Sequence, residues 1–172
     1  MLKIFGACLV LTATSWIGFE IARSYRERPK QIRQLRSALS MLETEISYGV
    51  RPLAVACQDI AKRTSDPISR LFVDCVKNLN ELDGVSTYEC FRRAIEREWK
   101  NTAMKSPEKG ILLDFSATLG ASDREDQLQH LEMAKKNLEF EERKSQDEQI
   151  RYEKMFKTMG VLAGALIVLL IF

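Results

Sequence analysis

Sixteen uncharged, mostly apolar residues, 4–19, stand near the start of this 172-residue chain, and fourteen more, 159–172, close it. At about 1.5 Å of rise per residue they reach about 24 Å and about 21 Å, against a bilayer core of about 30 Å. Their flanks supply the remainder. Lys157 snorkels, so residues 155–172 give about 27 Å. Extension to Ala22 lengthens the first run and brings in Glu20, an acid placed to sit at the interface or to pair with Arg23. The expected organisation is an N-terminal transmembrane anchor over residues 1–22, a cytoplasmic helical bundle over 23–157 and a C-terminal transmembrane helix over 158–172.

A cleaved signal peptide is the rival reading of the first run, with Lys3, the apolar stretch and Ala13-x-Ser15 as its regions. Trp16, Ile17, Gly18 and Phe19 carry the apolar run past that site, and the basic residues follow the segment. An uncleaved anchor fits better. Arg23, Arg26, Arg28, Lys30, Arg33 and Arg36 follow the first segment, while Arg151, Lys154 and Lys157 precede the last. The positive-inside rule applied to either set places the interior in the cytoplasm.

The interior reads as helix throughout. Ile32, Leu35, Leu39, Leu42 and Ile46 recur at steps of three and four, bounded by Pro29 and Gly49, which predicts a helix over 31–48. A short helix near Pro52 carries Leu53, Cys57 and Ile60. Asp66-Pro67 reads as an N-cap with proline at the first helical position. The helix after it presents Ile68, Leu71, Phe72, Cys75 and Leu79 and stops at Asp83-Gly84. Ser86-x-x-Glu89 is a capping-box pattern before Tyr88, Phe91, Ile95 and Trp99. Ser106-Pro107 opens a fifth helix with Ile111, Leu112, Phe115 and Leu119, closed by Gly120. Ser122-x-x-Glu125 is a second capping box, and no strong breaker follows before Gly160. The expectation is an all-α, six-helix antiparallel bundle between two transmembrane helices.

Groups for chemistry are scarce. His130 is the single histidine, and the eight glycines form no phosphate loop. The acids of residues 139–148 read as a solvated helix face, and a metal site among them would need histidines the chain lacks. Cys8, Cys57, Cys75 and Cys90 have no C-x-x-C spacing and read as reduced structural thiols. No catalytic residue, cofactor site or metal site is expected. The basic cluster 23–36 lacks interleaved aromatics and abuts an apolar segment, so it reads as facing lipid rather than nucleic acid. Within the apolar runs, Gly160-x-x-x-Gly164 forms a small-residue face, as do Thr14, Gly18 and Ala22. Such faces let helices approach closely, and the expectation is that they pack the two anchors together or against a partner's helix.

Beyond these physical signals the chain resembles the stage III sporulation protein AB family of endospore-forming Firmicutes. The resemblance rests on Gly18-Phe19-Glu20, on Arg28-Pro29-Lys30-Gln31-Ile32-Arg33-Gln34-Leu35, and on Leu42-Glu43-Thr44-Glu45-Ile46 with Tyr48-Gly49. It continues through Leu119-Gly120-Ala121-Ser122-Asp123-Arg124, Gln127 with His130-Leu131, and Arg151-Tyr152-Glu153-Lys154-Met155 with Gly160. It spans essentially the whole chain, and the closing segment resembles the family's C-terminus.

The resemblance implies a soluble part similar to the cytoplasmic domain of the F-type inner-membrane platform protein of type II secretion. It implies a non-catalytic platform in the channel between mother cell and forespore, in the mother-cell membrane around the forespore. The implied partners are a companion sporulation ATPase, other products of the same operon and the lipid bilayer. Pilus-type platforms usually carry a duplicated cytoplasmic domain and a further membrane helix, which this chain lacks, so a homodimer would restore the missing copy. The alternative from the residues alone is a membrane-anchored helical regulatory or signalling module outside secretion.

Overall fold

α1 (Leu2–Tyr48) continues through Pro29, where the sequence suggested a boundary. Proline cannot donate the backbone bond that would return to Tyr25, and its ring crowds that carbonyl. The helix persists because its inward face is continuous: Ala22, Arg28, Pro29, Ile32, Leu35, Leu39 and Leu42 are all buried. Packing along that face outweighs a local propensity cost of about 3 kcal/mol.

The computed structural model describes residues 2–49, 51–81, 84–120 and 122–171, and the side chains of 2–5, 7, 8, 10, 11, 170 and 171 also lie outside the description. After α1 come α2 (Leu53–Arg63), α3 (Ile68–Glu81), α4 (Thr87–Glu98), a 3₁₀ turn (Trp99–Asn101), α5 (Ser106–Ser116) and α6 (Arg124–Ile171). There is no strand among the described residues. Among the described residues the fold is all-α, with six α-helices. The chain divides into two compact units, Met1–Pro29 with Lys144–Phe172, and Lys30–Arg143. Among the described residues, no helix is long and apolar enough to cross a membrane.

Glycines punctuate the Lys30–Arg143 unit. Gly49 (φ 61°) ends α1, and its N–H donates to the Glu45 carbonyl at 3.0 Å. Gly84 and Gly120 also take positive φ. The Asp83 half of the expected Asp83-Gly84 stop lies outside the described residues, as does Ala121.

Several caps differ in detail from expectation. α3 opens at Ile68, and the Asp66 carboxylate accepts from Arg70 Nε at 2.8 Å rather than standing at the cap position. Ser86 Oγ does accept from the Glu89 N–H at 3.2 Å. The reciprocal arm of that box is diverted, because the Glu89 carboxylate accepts from Arg92 and Arg93 at 2.8 Å. At α5 the Glu108 carboxylate, fully buried, takes the Lys105 N–H at 2.7 Å. α6 is capped by Asp123, whose Oδ1 accepts from the Asp126 N–H at 2.9 Å, while the Ser122 hydroxyl turns back to the Thr118 carbonyl. α5 stops at Ser116, short of Gly120, where the Ser116 and Thr118 hydroxyls donate to the carbonyls of Leu113 and Phe115. Such local bonds compete with helix continuation.

The core of this unit gathers one stripe from each helix. Leu35, Leu39 and Leu42 of α1 meet Cys57 and Ile60 of α2, Leu71, Phe72 and Cys75 of α3, and Phe91 and Ile95 of α4. Leu112 and Phe115 of α5 and Leu131 and Leu138 of α6 complete it. The periodicity passed over Ala38, Ala56, Ala94 and Ala134, which are buried because helices approach closest where side chains are smallest. Tyr88, expected on the α4 stripe, is exposed.

Candidate functional site

The inward stripe of α6 keeps its period while changing its chemistry. Leu131, Ala134 and Leu138 are followed at helical steps by Glu142, Ser145, Glu148, Tyr152, Phe156 and Gly160. α1 carries the complementary series, from Gly18, Ala22 and Tyr25 through Arg28 to the aliphatic core. The polar segment 139–154, whose sequence fits either a solvated spacer or a helix covered by a partner, turns this face toward α1.

In the Lys30–Arg143 unit, the Glu142 carboxylate is 6% exposed and bridges two arginines. Its Oε1 accepts from Arg33 Nε and its Oε2 from Arg36 Nη1, both at 2.7 Å. Arg36 Nη2 also reaches Glu139 at 3.0 Å, and Lys135 pairs with Glu43. Burial alone would raise the Glu142 carboxyl. The hydrogen bonds from Arg36 and Arg33 outweigh it and hold the group below its usual range.

In the unit of Met1–Pro29 and Lys144–Phe172, Arg28 is 2% exposed, and its Nη1 donates to Glu148 Oε2 at 2.8 Å. A guanidinium this deep needs such a partner, since an unpaired buried charge costs several kcal/mol, about 3 or more. Tyr25 stacks on Phe156 at 5.6 Å between centroids, and Tyr152 lies 5.5 Å from Tyr25. Beyond the rings the backbones meet. A methyl group built on Gly18 would fall 2.8 Å from the Phe156 carbonyl oxygen and 3.0 Å from Gly160 Cα. One built on Gly160 would fall 3.0 Å from both Gly18 Cα and the Thr14 carbonyl oxygen. Gly18, Ala22 and Gly164 are buried, and Thr14 and Gly160 half-buried. Contacts that climb α1 descend α6, so the two helices run antiparallel in this unit.

The nine basic residues marked out by the sequence therefore divide. Arg28, Arg33 and Arg36 are engaged by acids of α6. Lys157 donates to Glu153 at 2.7 Å, and Arg26 lies 3.4 Å from Glu27. Hydrogen bonds from Lys157 and Gln149 hold Glu153 below its usual range. Lys30 has partners within the fold. Arg23, Arg151 and Lys154 are exposed. Glu139, Glu142 and Glu148 read from sequence as part of a solvated helix face, and the burial of Glu142 between two arginines corrects that reading. The helical register of Glu142 and Glu148 with Leu138 is the signal that sets them apart, and a stripe of apolar residues alone does not contain it.

His130 sits on the surface of α6 with Nε2 3.6 Å from Asp126 Oδ1. Cys57, Cys75 and Cys90 are buried free thiols, and the side chain of Cys8 lies outside the described residues. Burial pushes Cys57 up to about 12 and Cys75 well above the ordinary thiol range. Among the described residues no three His, Cys, Asp or Glu side chains cluster closely enough to hold a metal ion.

Comparison with known proteins returns a consistent result. The sequence profile of the stage III sporulation protein AB family matches residues 3–172. The stage III sporulation protein AB of Bacillus subtilis (strain 168) is 42% identical over 171 residues, covering 99% of each chain. A solved structure of stage III sporulation protein AB (SpoIIIAB) aligns with a TM-score of 0.70 at 38% identity, covering 73% of this chain and 98% of the other.

Proposed function

The chain belongs to the stage III sporulation protein AB family, and we propose that within sporulation it is a non-catalytic membrane platform. It would serve the channel between mother cell and forespore, joining a cytosolic ATPase to the membrane complex. The observation that carries this reading is the antiparallel pairing of the two terminal helices through Gly18 and Gly160, on helices that continue into the bundle core. Two anchors closed on each other give a helical domain a fixed seat at one membrane.

Membrane insertion is part of this proposal. It is supported by large apolar side chains that the fold leaves mostly exposed. Trp16 is 75% exposed, Leu162 62%, Leu166 61% and Leu169 76%. Leaving such residues in water costs about 1.5–3 kcal/mol each, whereas lipid removes the cost. The outer parts of both runs, including Ile4 and Phe172, extend the apolar sequence past the described side chains. The flanking charges then favour a cytoplasmic bundle in the mother cell.

Cross-linked co-purification of the full chain from sporulating cells tests the platform reading. Recovery of the companion ATPase and other products of the operon is expected. A chain that resists alkaline extraction yet brings down neither would leave the anchored regulatory module as the better account. Purification at two concentrations would also show whether a homodimer forms.

A further inference from the structure

The divided basic cluster leaves one group of cations around a cleft of about 400 Å³ in the two-helix unit. Its lining is Trp16, Phe19, Glu20, Arg23, Arg26 and Lys157. Glu27 and Glu153 already offset part of the charge of Arg26 and Lys157. Glu20 and Arg23 form no hydrogen bond or ion pair among the described residues. The cleft thus offers one uncommitted acid and one uncommitted cation, reinforced by two partly neutralised cations, beside two exposed aromatic rings.

Those features set the chemistry of an occupant. The cations suit a phosphate, with Arg23 presenting a donor fork. A phosphate alone would meet the Glu20 carboxylate as a like charge, so the occupant must also carry a hydrogen-bond donor, best a cationic one. Trp16 and Phe19 suit the ester region and upper methylenes of an acyl chain, as aromatic residues do at membrane interfaces. From this charge pattern we infer that the cleft binds a phosphatidylethanolamine headgroup, its phosphate on Arg23, Arg26 and Lys157 and its ammonium on Glu20. The inference rests on the membrane reading above. Phosphatidylglycerol supplies only a neutral hydroxyl to Glu20, and the choline head of phosphatidylcholine has no N–H to donate.

Native mass spectrometry of the detergent-solubilised full chain, with the three lipids added at equal concentration, reads the preference directly. Retention of phosphatidylethanolamine about tenfold above phosphatidylcholine is expected from one charge-assisted hydrogen bond. Glu20→Gln should remove that preference without weakening phosphatidylcholine binding, and Arg23→Gln should weaken all three. Both side chains are exposed and unpaired, so neither change threatens the fold. Equal retention of the three lipids, or a preference unchanged in Glu20→Gln, overturns the assignment. So does tighter binding of phosphatidylglycerol than of phosphatidylethanolamine. Flotation with phosphatidylcholine vesicles separates the two readings: a chain that does not float refutes membrane insertion, and one that floats without lipid preference refutes only the headgroup site.

Discussion

Glu142 joins two arginines of α1 to α6 from a nearly closed position, so its charge state matters to the fold. Its carboxyl is held below the usual value of 4.5, so its contribution is present above that value and is lost as pH falls through the folded-state value. Acid titration of thermal stability should therefore fall less steeply below about pH 4.5 for Glu142→Gln than for the parent chain. At neutral pH the same substitution should cost about 1–3 kcal/mol, read as a lowered Tm. The buried thiols give a second expectation at this scale. In a chain carrying Cys8→Ser, a thiol reagent at pH 8 should label Cys57 and Cys75 only after denaturant unfolds the bundle. Native labelling at the unfolded rate would contradict their burial and raised pKa.

Elements respond to glycine in opposite ways, according to backbone angle and space. Gly120 holds φ 77°, and an added methyl would fall 2.9 Å from Thr87 Oγ1. Gly120→Ala should destabilise by about 1–3 kcal/mol. Gly110 lies inside α5 with nothing within 4 Å of a methyl, so Gly110→Ala should stabilise by about 0.5–1 kcal/mol. Thermal unfolding of the two variants side by side checks the sign of each. Helix existence and order were legible from stripes and turn residues. Less legible were the ends, because Ser116, Asp66 and Asp123 choose among local bonds of similar strength. Pro29 was misleading for a related reason: its penalty is local, while buried residues stand on both sides of it, from Ala22 to Leu42.

For the molecule as a whole, the closing of the terminal helices on each other carries the functional reading. Gly160→Leu would place a large side chain where a methyl already meets Gly18 Cα and the Thr14 carbonyl at 3.0 Å. A cysteine pair introduced at Tyr25 and Phe156, whose rings stack at 5.6 Å beside this contact, should cross-link in membranes, and the yield should fall several-fold with Gly160→Leu. Unchanged cross-linking would remove the glycine contact from the account. A single accessible cysteine near Gly84 addresses topology, with labelling expected only after the mother-cell membrane is opened.

The sequence by itself determined the helical class, the order of the six helices and most of the apolar core. Those depend on periodicity and backbone chemistry, which are local. It also carried the family, through motifs spread along the chain. Tertiary structure alone decided the fate of the charges. Arg28, Arg33 and Arg36 look like Arg23 in one dimension. The first three are nevertheless placed opposite acids of α6 more than a hundred residues away, while Arg23 is left open beside Glu20. A charged side chain reads as surface until a distant partner is known, because only the pair, not either member, is stable when buried.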